Sequence, residues 1–158
     1  MTIRITSEAF EADHPIPRKH ARLGGDASPP LMWYEVPDDA RQLVLVVDDP
    51  DAPGDEPWVH WVIYNIPPDT RQLPPDVSHE QEPSQPSHAA QGRNSWGQFG
   101  YGGPQPPKGD PPHHYHFHLY ALDVDPALPP GMSRDELLDA AWGHVRDEGE
   151  LIGTYQSQ

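Results

Sequence analysis

The chain has 158 residues, enough for one domain with a real core, and carries 22 prolines, 13 glycines and no cysteine. The lack of cysteine excludes disulfides and thiolate metal sites. Proline at about 14%, against a usual ~5%, argues against a helical bundle and for short strands joined by stiff loops. The formal net charge of −15 opposes nucleic acid and anionic membranes, whose own negative fields would repel the chain.

The opening "MTIRITSEAF" lacks the apolar stretch of a secretory signal, and no apolar run approaches ~18 residues. A cytoplasmic protein without stable membrane insertion is therefore expected. A high-salt cytoplasm, or nucleotide bias with simple solubility, would each account for the acidic bias. In chain order, "RITSEAF" (4–10) and "LMWYEV" (31–36) are short strand candidates, and "RQLVLVVD" (41–48) reads as a buried strand. "DPDAPGDEP" (49–57) is a turn segment, because Pro50, Pro53 and Pro57 allow neither helix nor central strand. "WVHWVIYNI" (58–66) is a second clear strand, closed by Pro67 and Pro68. The stretch 67–98 is poor in apolar residues and reads as a long loop, either functional or weakly structured. "HYHFHLYALD" (114–123) is the third clear strand. Ser133 with Glu136 forms a capping box, and Leu137, Leu138, Ala141, Trp142 and Val145 cluster at helical spacing, with Gly149 as the stop. One domain over 1–158, mainly β and built as a sandwich or barrel, follows.

Several motifs carry chemistry. Asp49 and Asp51 stand two apart at a strand end, where a carboxylate can orient a histidine and favour its protonated form. Period two places Trp58 and His60 on one strand face. It also divides the histidine-rich strand: His113, Tyr115, Phe117 and Leu119 share one face, and His114, His116, His118 and Tyr120 share the other. The first face runs from polar to apolar, as where a pocket rim passes into a core. The second is polar throughout. His114 and His116 have the His-x-His spacing of some zinc sites. A third ligand at His118 would lie about 13 Å from His114 at ~3.3 Å per residue, too far for three ligands on one ion. A two-histidine site completed from elsewhere stays open, but no metal and no cofactor is expected. The loop "GYGGPQPPKG" (100–109) lacks the lysine and hydroxyl pairing of a phosphate-cradling P-loop, and no G-x-S-x-G or H-E-x-x-H occurs.

Taken together, "DPDAP", "WVHW" and "GYGGPQPPKGDPPHHYHFHLYALD" resemble, in order and spacing over residues ~40–123, the phosphatidylethanolamine-binding protein family. The likeness is greatest to its bacterial and archaeal, Raf-kinase-inhibitor-like branch. The ending "GHVRDEGELIGTYQ" (143–156) resembles the C-terminal helix and tail of that branch. The resemblance implies a Greek-key β-sandwich with a C-terminal helix, long Pro-rich loops, and a small pocket at one end that binds anions such as phosphate or phosphorylated head groups. Carried over to this sequence, the ligand-binding lining would be Asp49, Trp58, His60, Gly103, Pro106, His113 and Tyr115. Asp51 would brace the loop. Two positions depart from the family: His114 stands where arginine is common, and Gln105 stands where cysteine or glycine is common in the pocket loop.

The expectation is thus a cytosolic binding protein for a small anion or phosphate group, carried on a metabolite, a lipid head group or a phosphoprotein. Two histidines and a tyrosine hydroxyl would donate to the oxyanion, and Asp49 would orient a histidine. The alternative is a hydrolase or lyase acting on a small anionic substrate through the same Asp49, His60, His113 and Tyr115. Through the resemblance a homodimer is also expected; the protein partner is open.

Overall fold

The computed structural model describes residues 2–158. Its strands are β1 (Arg4–Thr6), β2 (Leu31–Tyr34), β3 (Gln42–Asp49), β4 (Trp58–Ile66), β5 (Gln72–Leu73), β6 (Ala90–Gln91), β7 (His113–Leu122) and β8 (Val145–Tyr155), with helix α1 (Arg134–Ala141) before β8. They form two antiparallel sheets, a small one in the order β1-β2-β5 and a larger one in the order β6-β4-β3-β7-β8. The chain visits the small sheet, crosses to the large one, returns for β5 and crosses again, so the sheets are tied together into a β-sandwich.

The core between the sheets gathers Ile5, Trp33, Leu43, Leu45, Val47, Trp61, Ile63, Phe117 and Leu119. A second apolar cluster lies on the outer face of the large sheet. There Val44, Val46, Val62 and Tyr64 pack beneath Leu137 and Ala141 of α1. Strand β3 is consequently buried along its whole length, which explains its unbroken apolar run. The long segment 67–98 is anchored from within: the Gln91 amide accepts from Trp61 Nε1 and donates to the carbonyls of Ser78 and Glu80.

The helix is shorter than its sequence pattern predicts. The capping box at Ser133 forms as expected, yet α1 ends at Ala141. Trp142 is 86% exposed, and Val145 begins a strand instead of continuing the helix. Residues 145–155, expected to supply a C-terminal helix and tail, instead pair with β7 in register from Val145 opposite Leu122 to Tyr155 opposite His113. A ladder of that length satisfies more backbone groups than another turn of solvent-exposed helix would. Gly149, expected to stop the helix, sits inside β8, where a Cβ would lie 2.2 Å from the Ile3 carbonyl oxygen. The two N-terminal strands are also shorter than expected; β2 ends before Glu35, whose φ of 67° breaks the extended backbone. Among the described residues, no helix is long and apolar enough to cross a membrane.

Candidate functional site

At one end of the sandwich, a cavity of about 340 Å³ opens between the ends of β3, β4 and β7 and the proline loops. It is lined by Asp49, Ala52, Pro53, Trp58, His60, Trp96, Gln105, Pro106, Pro107, His113 and Tyr115.

His60 reaches it at a defect in strand pairing. Val47 pairs with Trp61, but the next residue of β3, Asp48, pairs with Val59, so His60 is an extra residue in β4. Such a bulge redirects a side chain. Here His60 enters the cavity while its neighbour Trp61 still enters the core. The imidazole is 3% exposed and Nδ1 donates to the Gly102 carbonyl at 2.7 Å, while Gly102 N–H donates back to the His60 carbonyl. Burial holds the pKa of His60 below its ordinary value, against the opposing pull of the Gly102 carbonyl and Asp49. The neutral ring therefore keeps a lone pair on Nε2. Trp96 and Tyr115 clamp it edge to face, at 5.2 and 5.1 Å between centroids.

His113 has the opposite character. Its Nδ1 donates to Asp49 Oδ2 at 2.7 Å and its Nε2 to Asp110 Oδ2 at 3.0 Å. Burial alone would lower its pKa, but the two carboxylates outweigh that and raise it, so the ring favours the imidazolium form. Asp49 is fully engaged, because its other oxygen accepts from the Asp51 N–H at 2.8 Å. Asp49 thus orients His113 from behind, and Asp110, 41% exposed, caps it from the rim. The Tyr115 hydroxyl is buried and has no partner at full hydrogen-bonding geometry, the Asp49 carboxylate being its neighbour, and burial together with that carboxylate raises its pKa, keeping it a neutral donor.

Of the residues singled out in the sequence, Asp49, Trp58, His60, Pro106, His113, Tyr115 and Gln105 come together at this cavity. Gly103 does not line it. Its N–H donates to Asp26 Oδ1, and a Cβ there would stand 2.2 Å from the His20 carbonyl oxygen, so this glycine serves the close approach of two loops. Asp51 also lies outside the lining and ties the β3–β4 loop to β7, accepting from both the backbone N–H and Nδ1 of His114 at 2.8 Å. Besides Ala52, Pro53 and Pro107 of the adjoining loops, two contributors escaped the sequence reading. Trp96 stacks edge-on against Trp58 and is covered by the Arg22 guanidinium, 4.0 Å from its ring. Asp110 stands in a turn of the proline loop. Neither lies on a periodic segment, and the only sequence signal was the position of Asp110 three residues before His113.

Fold and site together define a β-sandwich with a small polar-and-aromatic cavity at the strand ends. The sequence model described as phosphatidylethanolamine-binding protein matches residues 6–156, and the chain belongs to that family. It is 44% identical over 156 residues to a UPF0098 protein of Pyrococcus horikoshii, covering 99% of this chain and 77% of that relative. Among solved structures, a putative phosphatidylethanolamine-binding protein homologue from Chlamydia trachomatis superposes with a TM-score of 0.88 at 38% identity, covering 99% of each chain. YbcL of E. coli superposes with a TM-score of 0.91 at 30% identity over the whole of both chains.

Proposed function

We propose that the cavity binds a compact phosphoryl group, and that the protein acts by binding and not by turnover. The observation that carries this is the geometry at His113: a buried ring held by Asp49 from behind, whose outward nitrogen is already met by a carboxylate oxygen from the rim. A position that draws in Asp110 would accept an oxygen of a phosphoryl group in its place. Tyr115 supplies a second, unsatisfied donor, and an apolar surround of Trp58, Trp96 and the prolines strengthens both contacts. Neutral His60 adds an acceptor suited to a P–OH group, so a singly charged phosphoryl group fits better than a dianion beside Asp49. The family's name carries a phosphoryl head group, in agreement with this reading. A cysteine-free, acidic chain suits a reducing cytoplasm.

Inorganic phosphate, glycerophosphoethanolamine and a phosphoserine peptide, each titrated near pH 6.5 (about the ordinary pKa of histidine), should raise the melting temperature of the wild type to different extents and so rank the carrier. His60→Ala and His113→Ala should abolish the shift. Asp110→Asn should tighten binding several-fold by removing the competing carboxylate. Stabilisation that persists unchanged in both histidine variants refutes the proposal.

A further inference from the structure

The outer face of the large sheet holds a second constellation, unconnected with the cavity. His116 and His118 stand two apart on β7, and Glu150 of β8 lies directly opposite His118 in the ladder. Glu150 Oε2 is 3.0 Å from His116 Nδ1 and 3.2 Å from His118 Nδ1. One donor atom from each residue lies within 4.8 Å of the others. Ligand atoms held at about 2.0–2.1 Å around a tetrahedral ion stand roughly 3.3 Å apart, so the spacings to the carboxylate oxygen already match that geometry.

The environment of His118 adds an independent reason. Its Nε2 faces the buried carboxylate of Asp48 at 3.3 Å, and that carboxylate is held from its other oxygen by Arg134 at 3.6 Å. Nε2–H donating to Asp48 fixes the tautomer that leaves a lone pair on Nδ1, and that lone pair points at Glu150. Two such atoms 3.2 Å apart are bridged either by a proton or by a metal cation between them. A carboxylate gripping the far nitrogen of a ligating histidine is also the usual support around a protein-bound zinc. The rings are held in position, His116 stacked on His118 at 5.7 Å and His118 on Tyr120 at 6.1 Å, with interplanar angles of 18° and 15°. The cavity offers no equivalent, because at His113 no second ring shares a carboxylate oxygen, whereas His116 and His118 both face the same Glu150 oxygen.

We infer that His116 Nδ1, His118 Nδ1 and Glu150 Oε2 form a binding site for a divalent transition cation of the zinc class. Asp48 is the positioning residue, and a fourth position is left for water or an incoming ligand. Imidazole with one carboxylate suits zinc and its neighbours better than calcium or magnesium, and the net charge of −15 favours cation uptake. Binding displaces whatever proton the Nδ1 atoms share with Glu150. The third ligand missing from the strand itself comes from β8, and His114 is excluded because Asp51 holds it.

Untagged protein stripped with a chelator and titrated with zinc chloride by calorimetry near neutral pH should bind one zinc per chain with an affinity on the order of micromolar. Glu150→Gln, isosteric and exposed, and His118→Ala should each weaken binding by about tenfold or more. Asp48→Asn should weaken it by about 10–100-fold without touching the ion, and His113→Ala should leave it unchanged. The absence of saturable binding in the wild type overturns the inference. So does equal affinity in Glu150→Gln and His118→Ala, or loss of binding in His113→Ala, which would assign the ion to the cavity.

Discussion

On the inner face of β7, His113 is 4% exposed and is gripped by a buried carboxylate behind it and a rim carboxylate in front. On the outer face of the same strand, His116 and His118 keep about a quarter of their side-chain surface in solvent and share one exposed carboxylate. The residue types and spacing are nearly the same, yet the chemistry differs because burial differs. Inside, each carboxylate is committed to its own nitrogen of one ring, which fixes charge and direction. Outside, nitrogens from two rings converge on one oxygen, which leaves room for an ion.

The largest effect that tests this contrast should come from Asp49→Ala. It leaves the buried His113 ring with only the rim carboxylate of Asp110 and should cost about 3 kcal/mol in denaturant unfolding, the usual scale for breaking a buried pair. The exposed counterpart Glu150→Gln should cost under about 1 kcal/mol. Comparable losses in the two variants would erase the distinction.

The dependence on pH comes next. The folded pKa of His113 is raised, so its contribution is complete below the unfolded value of 6.5 and is lost as pH rises through the folded value. His60 is lowered, so its contribution is complete above 6.5 and is lost as pH falls toward the folded value. Melting temperatures across this range should decline on both sides. His113→Asn should flatten the alkaline limb alone, and His60→Asn the acid limb alone; a variant that flattened neither would show that these rings do not set the profile.

The smallest effect on stability should come from Tyr115→Phe. Removing a buried hydroxyl without a partner should change folding by no more than about 0.5 kcal/mol, in either direction. Phosphate binding should nonetheless weaken several-fold by calorimetry, separating a binding role from a packing one.

Much of this was legible in the chain. Strand β4 has the bounds read from "WVHWVIYNI", and the two faces of β7 divide as period two requires, His113 and Tyr115 inward and His114 outward. His60 shares the cavity with Trp58 as period two requires, but a bulge in β4 lets the next residue, Trp61, turn inward as well, and no periodicity announces a bulge. Helix α1 was legible at its start, where the capping box is local, and illegible at its end, where the competing structure is a ladder with β7.

Local order and spacing were thus enough to determine the β-rich class and the main strands, while the motif residues expected around the cavity came through the family resemblance. Tertiary structure decided what each histidine meets. Trp96 reaches the cavity and Asp110 reaches His113 from loops, and Glu150 reaches His116 and His118 from more than thirty residues along the chain. Partners so distant become neighbours only when sheets pair and loops fold over their ends, and they, not the residue types, set the charge and chemistry of each ring.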